Sequence, residues 1–245
     1  MTDIYETIER WLAEGQRVVR ATVTSVEQSA PRGPGAWMAV NERGEVAGSV
    51  SGGCVEGAVY EEAQDVFKTG RPRFVTYGIS DDQAISVGLT CGGIIHVFIT
   101  LIAPGGFDLL LEALHKDAPI ALATRLNGEQ IGQVMPISRD AKWGTVGTSG
   151  LDHAVAEEAL AMLALGESAV RTFGEDGEPV GTEVQIFIQS FAPRPHMYVF
   201  GAIDFTKAMV HVGKDLGYQV TVIDARPIFA TRSRFPEADN VVVEW

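Results

Sequence analysis

The sequence predicts an α/β protein, a mixed-sheet N-terminal domain followed by a partial Rossmann-like βαβ unit. Three observations carry this expectation. Val-, Ile- and Thr-rich runs recur along the chain and are separated by segments with helical periodicity. A stiff Ala192-Pro193-Arg194-Pro195 connector divides the chain. Beyond it, two short apolar runs flank one helical segment and a third run follows, the order expected of a βαβ unit extended by a strand.

Residues 1–15 read as a helix carrying Asp3, Glu6, Glu9 and Glu14. Residues 17–27 (RVVRATVTSVE) alternate and favour a strand. The following SAPRGPGA, residues 29–36, is dense in Pro and Gly and breaks regular structure. Residues 37–41 and 46–50 read as a hairpin around Glu42-Arg43-Gly44. In residues 55–68, Val55, Val59, Ala63 and Val66 share one helical face, and Gly70 suits the left-handed residue that ends a helix. Residues 74–79 and 94–102 are strands around a polar stretch, and 107–115 a short helix. Residues 121–126 and 130–137 flank Asn127-Gly128, a hairpin signal. A helix at 151–165 precedes strands at 170–173 and 183–191, which bracket Asp176-Gly177. After the connector come a buried-type strand at 196–200, a helix at 204–216, a second buried strand at 219–224 and a third at 240–244.

Domain boundaries follow at 1–192 and 196–245. A dinucleotide fold is usually built from two such halves, so the second domain is expected to be truncated from a longer natural chain. Its open sheet edge favours a homodimer.

Composition excludes several classes. The chain has 19 Lys and Arg against 32 Asp and Glu, a net charge of −13, with no basic run. Phosphate contacts dominate nucleic-acid affinity, so neither DNA nor RNA is an expected partner. The longest apolar stretch, residues 94–103, is interrupted by His96 and Thr100 and falls short of the ~20 residues of a spanning helix. No basic segment followed by an apolar one opens the chain, and a cytoplasmic, non-membrane protein is expected. Cys54 and Cys91 form no CxxC pair and no zinc spacing, and a reducing cytosol keeps them as thiols.

Three glycine-flanked loops carry the candidate chemistry. Ser51-Gly52-Gly53-Cys54-Val55-Glu56 stands where a strand ends and a helix begins. The first amides of a helix are unsatisfied and its dipole is positive there, which suits a phosphate and favours thiolate at Cys54. The other reading is a tight turn with a cysteine packed beneath it. Thr90-Cys91-Gly92-Gly93 combines a second thiol with two glycines ahead of a strand. Arg32, on the Pro- and Gly-stiffened loop, has the fork that grips phosphate, although a lone loop arginine is ordinarily a solvated one. His96, within an apolar strand, reads as a satisfied core residue, and no G-x-S-x-G elbow surrounds Ser51, so a hydrolase is rejected.

Ser-Ala-Pro-Arg from Ser29, Ser-Gly-Gly-Cys-Val-Glu from Ser51 and Thr-Cys-Gly-Gly from Thr90, in this order, resemble the XdhC/CoxI family of molybdenum-enzyme accessory proteins. Phe-Gly-Ala-Ile-Asp-Phe from Phe200 and Val-Ile-Asp-Ala-Arg-Pro from Val222 resemble that family's C-terminal Rossmann domain. The resemblance implies an accessory protein or chaperone rather than an enzyme with its own turnover. It would bind molybdenum cofactor (molybdopterin), support its sulfuration with a cysteine desulfurase, and deliver it to xanthine dehydrogenase or a related hydroxylase. It assigns cofactor binding to Cys54, Cys91, Gly52, Gly53, Ser51, Arg32, Gly92 and Gly93, with Cys54 and Cys91 as the ligands offered to molybdenum, and no catalytic residue.

Two alternatives stay open. An NAD(P)-dependent oxidoreductase would use Gly201 for the phosphates and Asp224, 23 residues on, for the ribose. Against it, Ile203 and Thr206 replace small residues of the G-x-G-x-x-G/A fingerprint. A thiol redox sensor would need the Cα atoms of Cys54 and Cys91 within about 7 Å.

Overall fold

The computed structural model describes residues 2–78, 92–103 and 106–244. The chain separates into two compact units, Met1–Ala192 and Pro193–Trp245.

The first unit opens with helix α1 (Thr2–Ala13), β1 (Val18–Glu27), β2 (Trp37–Asn41), β3 (Val46–Gly48), helix α2 (Glu56–Thr69), β4 (Arg73–Tyr77) and β5 (Ile94–Leu101). Its strands form one antiparallel sheet ordered β3-β2-β1-β5-β4. Helix α3 (Gly106–His115), β6 (Ile120–Arg125), β7 (Val134–Ile137), helix α4 (Ser149–Leu165), β8 (Ala169–Phe173) and β9 (Val184–Phe191) follow. They build a second antiparallel sheet ordered β7-β6-β9-β8. The α/β class matches expectation. The N-terminal strands make two antiparallel sheets rather than one mixed sheet, because most sequence neighbours pair with each other through turns instead of helical crossovers.

Alternation along β1 sets the layers. Val19, Ala21 and Val23 point to a core closed by Val59, Ala63 and Val66 of α2. Val18 points the opposite way, into a core shared by Ile8 and Trp11 of α1, Leu110 of α3, and Ile120 and Leu122 of β6. The other face of β6, Ala121 and Ala123, packs on Leu151, Val155 and Ala159 of α4. A strand buried on both faces can only be central, and a one-residue slip would exchange the two cores. Helix α2 ends as expected, at Gly70 with φ 67°, whose amide donates to the Val66 carbonyl at 2.9 Å.

Two local expectations need correction. The Asn127-Gly128 hairpin is wider than the dipeptide suggested, because β7 starts only at Val134. Gly132, at φ 88°, reverses the chain beyond Gly128, and its amide donates to the Arg125 carbonyl at 2.8 Å. His96 is half-buried rather than core. Its ring meets Thr76 Oγ1 at 2.9 Å and Glu27 Oε1 at 3.1 Å, and it stacks on Phe74.

The second unit contains β10 (His196–Phe200), helix α5 (Asp204–Asp215), β11 (Gln219–Ile223) and β12 (Asn240–Val242), in a parallel sheet ordered β10-β11-β12. Gly213 lets α5 lie close to the sheet; a Cβ there would meet Met197 Sδ at 2.8 Å and Val220 Cγ2 at 2.9 Å. β10 is not the buried-type strand its sequence suggested. His196, Tyr198 and Phe200 are exposed, because the strand lies at the sheet edge and the described part of this unit covers only one of its faces. No helix among the described residues is long and apolar enough to cross a membrane.

Candidate functional site

Two of the three glycine loops, and the described edge of the third, meet at one end of the five-stranded sheet. The loop after β1 begins at Gln28, held at φ 63°. A Cβ on Gly93 would sit 2.0 Å from the Ser29 carbonyl oxygen, and one on Gly52 would sit 3.8 Å from Pro31 Cβ. The Gly93 contact leaves no room for any other residue. Gly52 and Gly53 have open space around them but take φ 85° and 119°, backbone that L side chains rarely adopt. Gly92, at φ 78°, leads into β5. Cys91 lies outside the described residues.

The interior of the Ser51 turn differs from a phosphate cradle. Its amides converge on the carboxylate of Glu56, the first residue of α2. Ser51 N donates to Oε1 at 2.9 Å, Gly52 N to Oε1 at 3.1 Å and Gly53 N to Oε2 at 2.8 Å. The hydroxyls of Ser49 and Ser51 donate to the same carboxylate at 2.6 and 2.7 Å. The Ser51 hydroxyl in turn accepts the amides of Cys54 at 3.0 Å and Val55 at 3.1 Å. The chain's own carboxylate therefore occupies the anion seat that the glycines and helix start suggested. Burial pushes the Glu56 carboxyl up, but the serine hydroxyls and backbone amides outweigh it and hold it at about 2.

What this turn presents outward is Gly52, Gly53 and the half-buried Cys54, which packs against the core under α2. Ser51 is buried and serves the turn. The arrangement offers a thiol on a rigid, glycine-bordered surface. It does not offer free amides for a phosphate.

Arg32 helps line a cleft of about 610 Å³ between α1 and the β2–β3 hairpin, with Tyr5, Thr7, Arg10, Trp37 and Gly48 among the other walls. A Cβ on Gly48 would meet Ile4 Cδ1 and the Trp37 carbonyl at 2.4 Å, so this wall also depends on glycine. The floor is fixed from behind: Trp37 Nε1 donates to Gln189 Oε1 at 2.7 Å, and Gln189 Nε2 donates to the Gly35 carbonyl at 3.0 Å. Sequence reasoning found Arg32 but neither the cleft nor Glu56.

In the second unit the expected nucleotide residues are already engaged. Asp224 is buried, accepts the Ala202 amide at 2.8 Å, and forms a two-pronged pair with Arg226 at 3.0 and 2.9 Å. The Arg226 guanidinium and these amides hold its carboxyl well below the usual carboxylate range. The Thr206 hydroxyl accepts the Ile203 amide and donates to the Gly201 carbonyl. Gly201 adopts φ 106°, so the turn has the expected backbone, but its polar groups close on one another.

Residues 11–78 match the family model described as XdhC and CoxI family, and residues 197–244 match the one described as XdhC Rossmann domain. These two segments make the chain similar to both domains of the XdhC and CoxI family. The first match contains the Arg32 and Cys54 loops, the second Gly201 and Asp224. Among family relatives, a probable xanthine dehydrogenase subunit of Bacillus subtilis is 24% identical over 250 residues, covering 100% of this chain and 71% of that protein. The molybdenum cofactor insertion chaperone PaoD of Escherichia coli is 38% identical over 131 residues, 51% of this chain and 37% of PaoD. A crystal structure of a xanthine dehydrogenase from Bacillus halodurans superposes with a TM-score of 0.69 at 25% identity, covering 98% of this chain and 68% of that one.

Proposed function

We propose that the chain is an accessory protein that binds molybdenum cofactor, supports its sulfuration and inserts it into a xanthine dehydrogenase-type molybdoenzyme. The observation that carries this reading is the meeting of the Ser29 loop with Gly93 and with Gly52, two residues before Cys54, in a chain similar to a protein named for molybdenum cofactor insertion.

The cofactor is cargo under this reading, and the chain's residues hold it. Cys54 supplies a thiol, the form of side chain that ligates metals as thiolate. Gly52 and Gly53 leave the approach to it open, and Ser51 and Glu56 keep the turn rigid. Cys91, next to Gly92 and Gly93 in sequence, is the second thiol of the site. The partners are the target molybdoenzyme, a cysteine desulfurase that provides the sulfur, and a second copy of this chain, all in the cytoplasm. The NAD(P) reading is not favoured, because Asp224 is committed to Arg226 and Ile203 stands where the fingerprint needs glycine.

Expression in a host that makes the cofactor tests the proposal. Near-stoichiometric oxidised fluorescent pterin and molybdenum are expected with the wild-type chain, and a clear loss in Cys54→Ser or Cys91→Ser. Wild-type protein without pterin, or both variants fully loaded, would refute it.

A further inference from the structure

The α1/β2–β3 cleft, which includes Arg32, combines features absent from the Cys54 turn. Its volume of about 610 Å³ lies in the range of pockets that enclose small molecules. Arg10 and Arg32 both line it, and neither guanidinium makes an ion pair or hydrogen bond among the described residues. Carboxylates outnumber cations in this chain, 32 to 19. Elsewhere in the same unit Arg17, Arg43, Arg73 and Arg171 each hold a carboxylate. Of the carboxylates on its wall and on α1, Glu45 receives the Asn41 side-chain amide, and Glu9 meets His115 at 3.0 Å.

A third unmatched arginine lies beneath the floor. Arg20 is 4% exposed, its guanidinium rests 4.6 Å from the centroid of the Trp37 ring, and it donates to Thr124 Oγ1 at 3.5 Å. Its Nε has no partner among the described residues. Burial lowers its pKa to about 10, so it remains cationic at neutral pH. Tyr5, between these arginines, is pushed by burial up to about 12 against the pull of Arg20 and Arg32, so its hydroxyl stays a donor. Two guanidinium forks without an ion-pair partner among the described residues, a third arginine behind Trp37 and a phenol donor outnumber the one lining carboxylate, Glu45, and describe a receptor for an oxyanion.

We propose that the α1/β2–β3 cleft binds a small organic phosphate, with Arg10 and Arg32 gripping the phosphate and the Tyr5 and Trp11 side of the cleft receiving its body. The site is separate from the Cys54 turn, whose amides are filled by Glu56, and the proposal does not depend on cofactor insertion. The phosphate can come from a pterin or from a nucleoside, and the chemistry at the arginines is the same.

The full chain is titrated by calorimetry with inorganic phosphate, adenosine monophosphate and the oxidised pterin monophosphate obtained from molybdopterin. At least one of the three is expected to bind, with an affinity that weakens about tenfold in Arg10→Met or Arg32→Met and falls steeply with salt. Tighter binding of the pterin than of the nucleotide identifies the first source, and the reverse identifies the second. Equal affinities for all three confine recognition to the phosphate. Arg43→Met, outside the cleft, should bind like wild type, and Arg10→Met, a change on the cleft wall, should melt like it. No binding by wild type, or affinities unchanged in both cleft variants, overturns the proposal. None of the probes contains molybdenum. A failed cofactor assay therefore leaves this result standing, and Cys54→Ser should bind them normally.

Discussion

The two units each contain a strand, a glycine turn and a helix, and in each a carboxylate of the chain occupies the turn's amides. The difference lies in what neutralises the carboxylate. At the Ser51 turn, Glu56 is held only by hydroxyls and amides, with no cation against it among the described residues. At the Gly201 turn, Asp224 comes from the next strand and is locked by Arg226. The first solution depends on the turn's backbone staying in place and leaves the adjacent Cys54 half-buried. The second closes the turn with an ion pair. A glycine turn before a helix is thus an anion site in both units, and neither leaves the seat to a ligand.

Breaking the first turn has the largest expected effect. Glu56→Ala strands several donors that shared one acceptor and should cost about 3 kcal/mol of unfolding free energy, as losses of hydrogen bonds to charged groups do. Urea denaturation measures it, and a change within error of zero would mean that the amides find water as easily as the carboxylate. The pH dependence has a definite sign. Glu56 is held below the ordinary carboxylate value of about 4.3, so its contribution is complete above that pH and is lost as pH falls towards about 2. Glu56→Gln should flatten that limb of the acid-unfolding curve.

Gly93→Ala comes next. The added Cβ would meet the Ser29 carbonyl, and forcing it in should cost about 2 kcal/mol, within the range for overpacking. A fully stable variant would show that the Ser29 and Gly93 loops do not touch. For the second turn, Asp224→Asn should lower the melting temperature of its unit, and wild type should lose part of its advantage over it at high salt. The smallest effect is expected from Ile203→Gly. It restores the fingerprint glycine, yet nicotinamide fluorescence should detect no gained NAD(P)H binding, because Asp224 stays with Arg226.

Much of this arrangement could be read from residue order. Alternation in β1 and the period of α2 are local properties, and Gly70 marks its own cap. The glycines at 52 and 53 signalled an unusual backbone, and the structure places both at positive φ. Whether those amides face a ligand or the chain depends on where one carboxylate points. The available signal was Glu56 in the helix's first turn, following Ser49 and Ser51. Asp224 was read as a ribose acid, although Arg226, two residues on, was the sign of an internal pair. The exposure of β10 was hidden because an edge strand and a central strand of a parallel sheet have similar apolar sequences. The cleft at Arg32 depends on how α1 lies across β2 and β3, a tertiary fact with no local pattern behind it.

X-ray absorption at the molybdenum edge, on wild type and variants reconstituted with excess cofactor, tests the account most directly. A chain thiol as ligand predicts one sulfur neighbour fewer around molybdenum in Cys54→Ser or in Cys91→Ser than in wild type. An unchanged sulfur shell in both variants would contradict the claim that this site holds the metal through its cysteines.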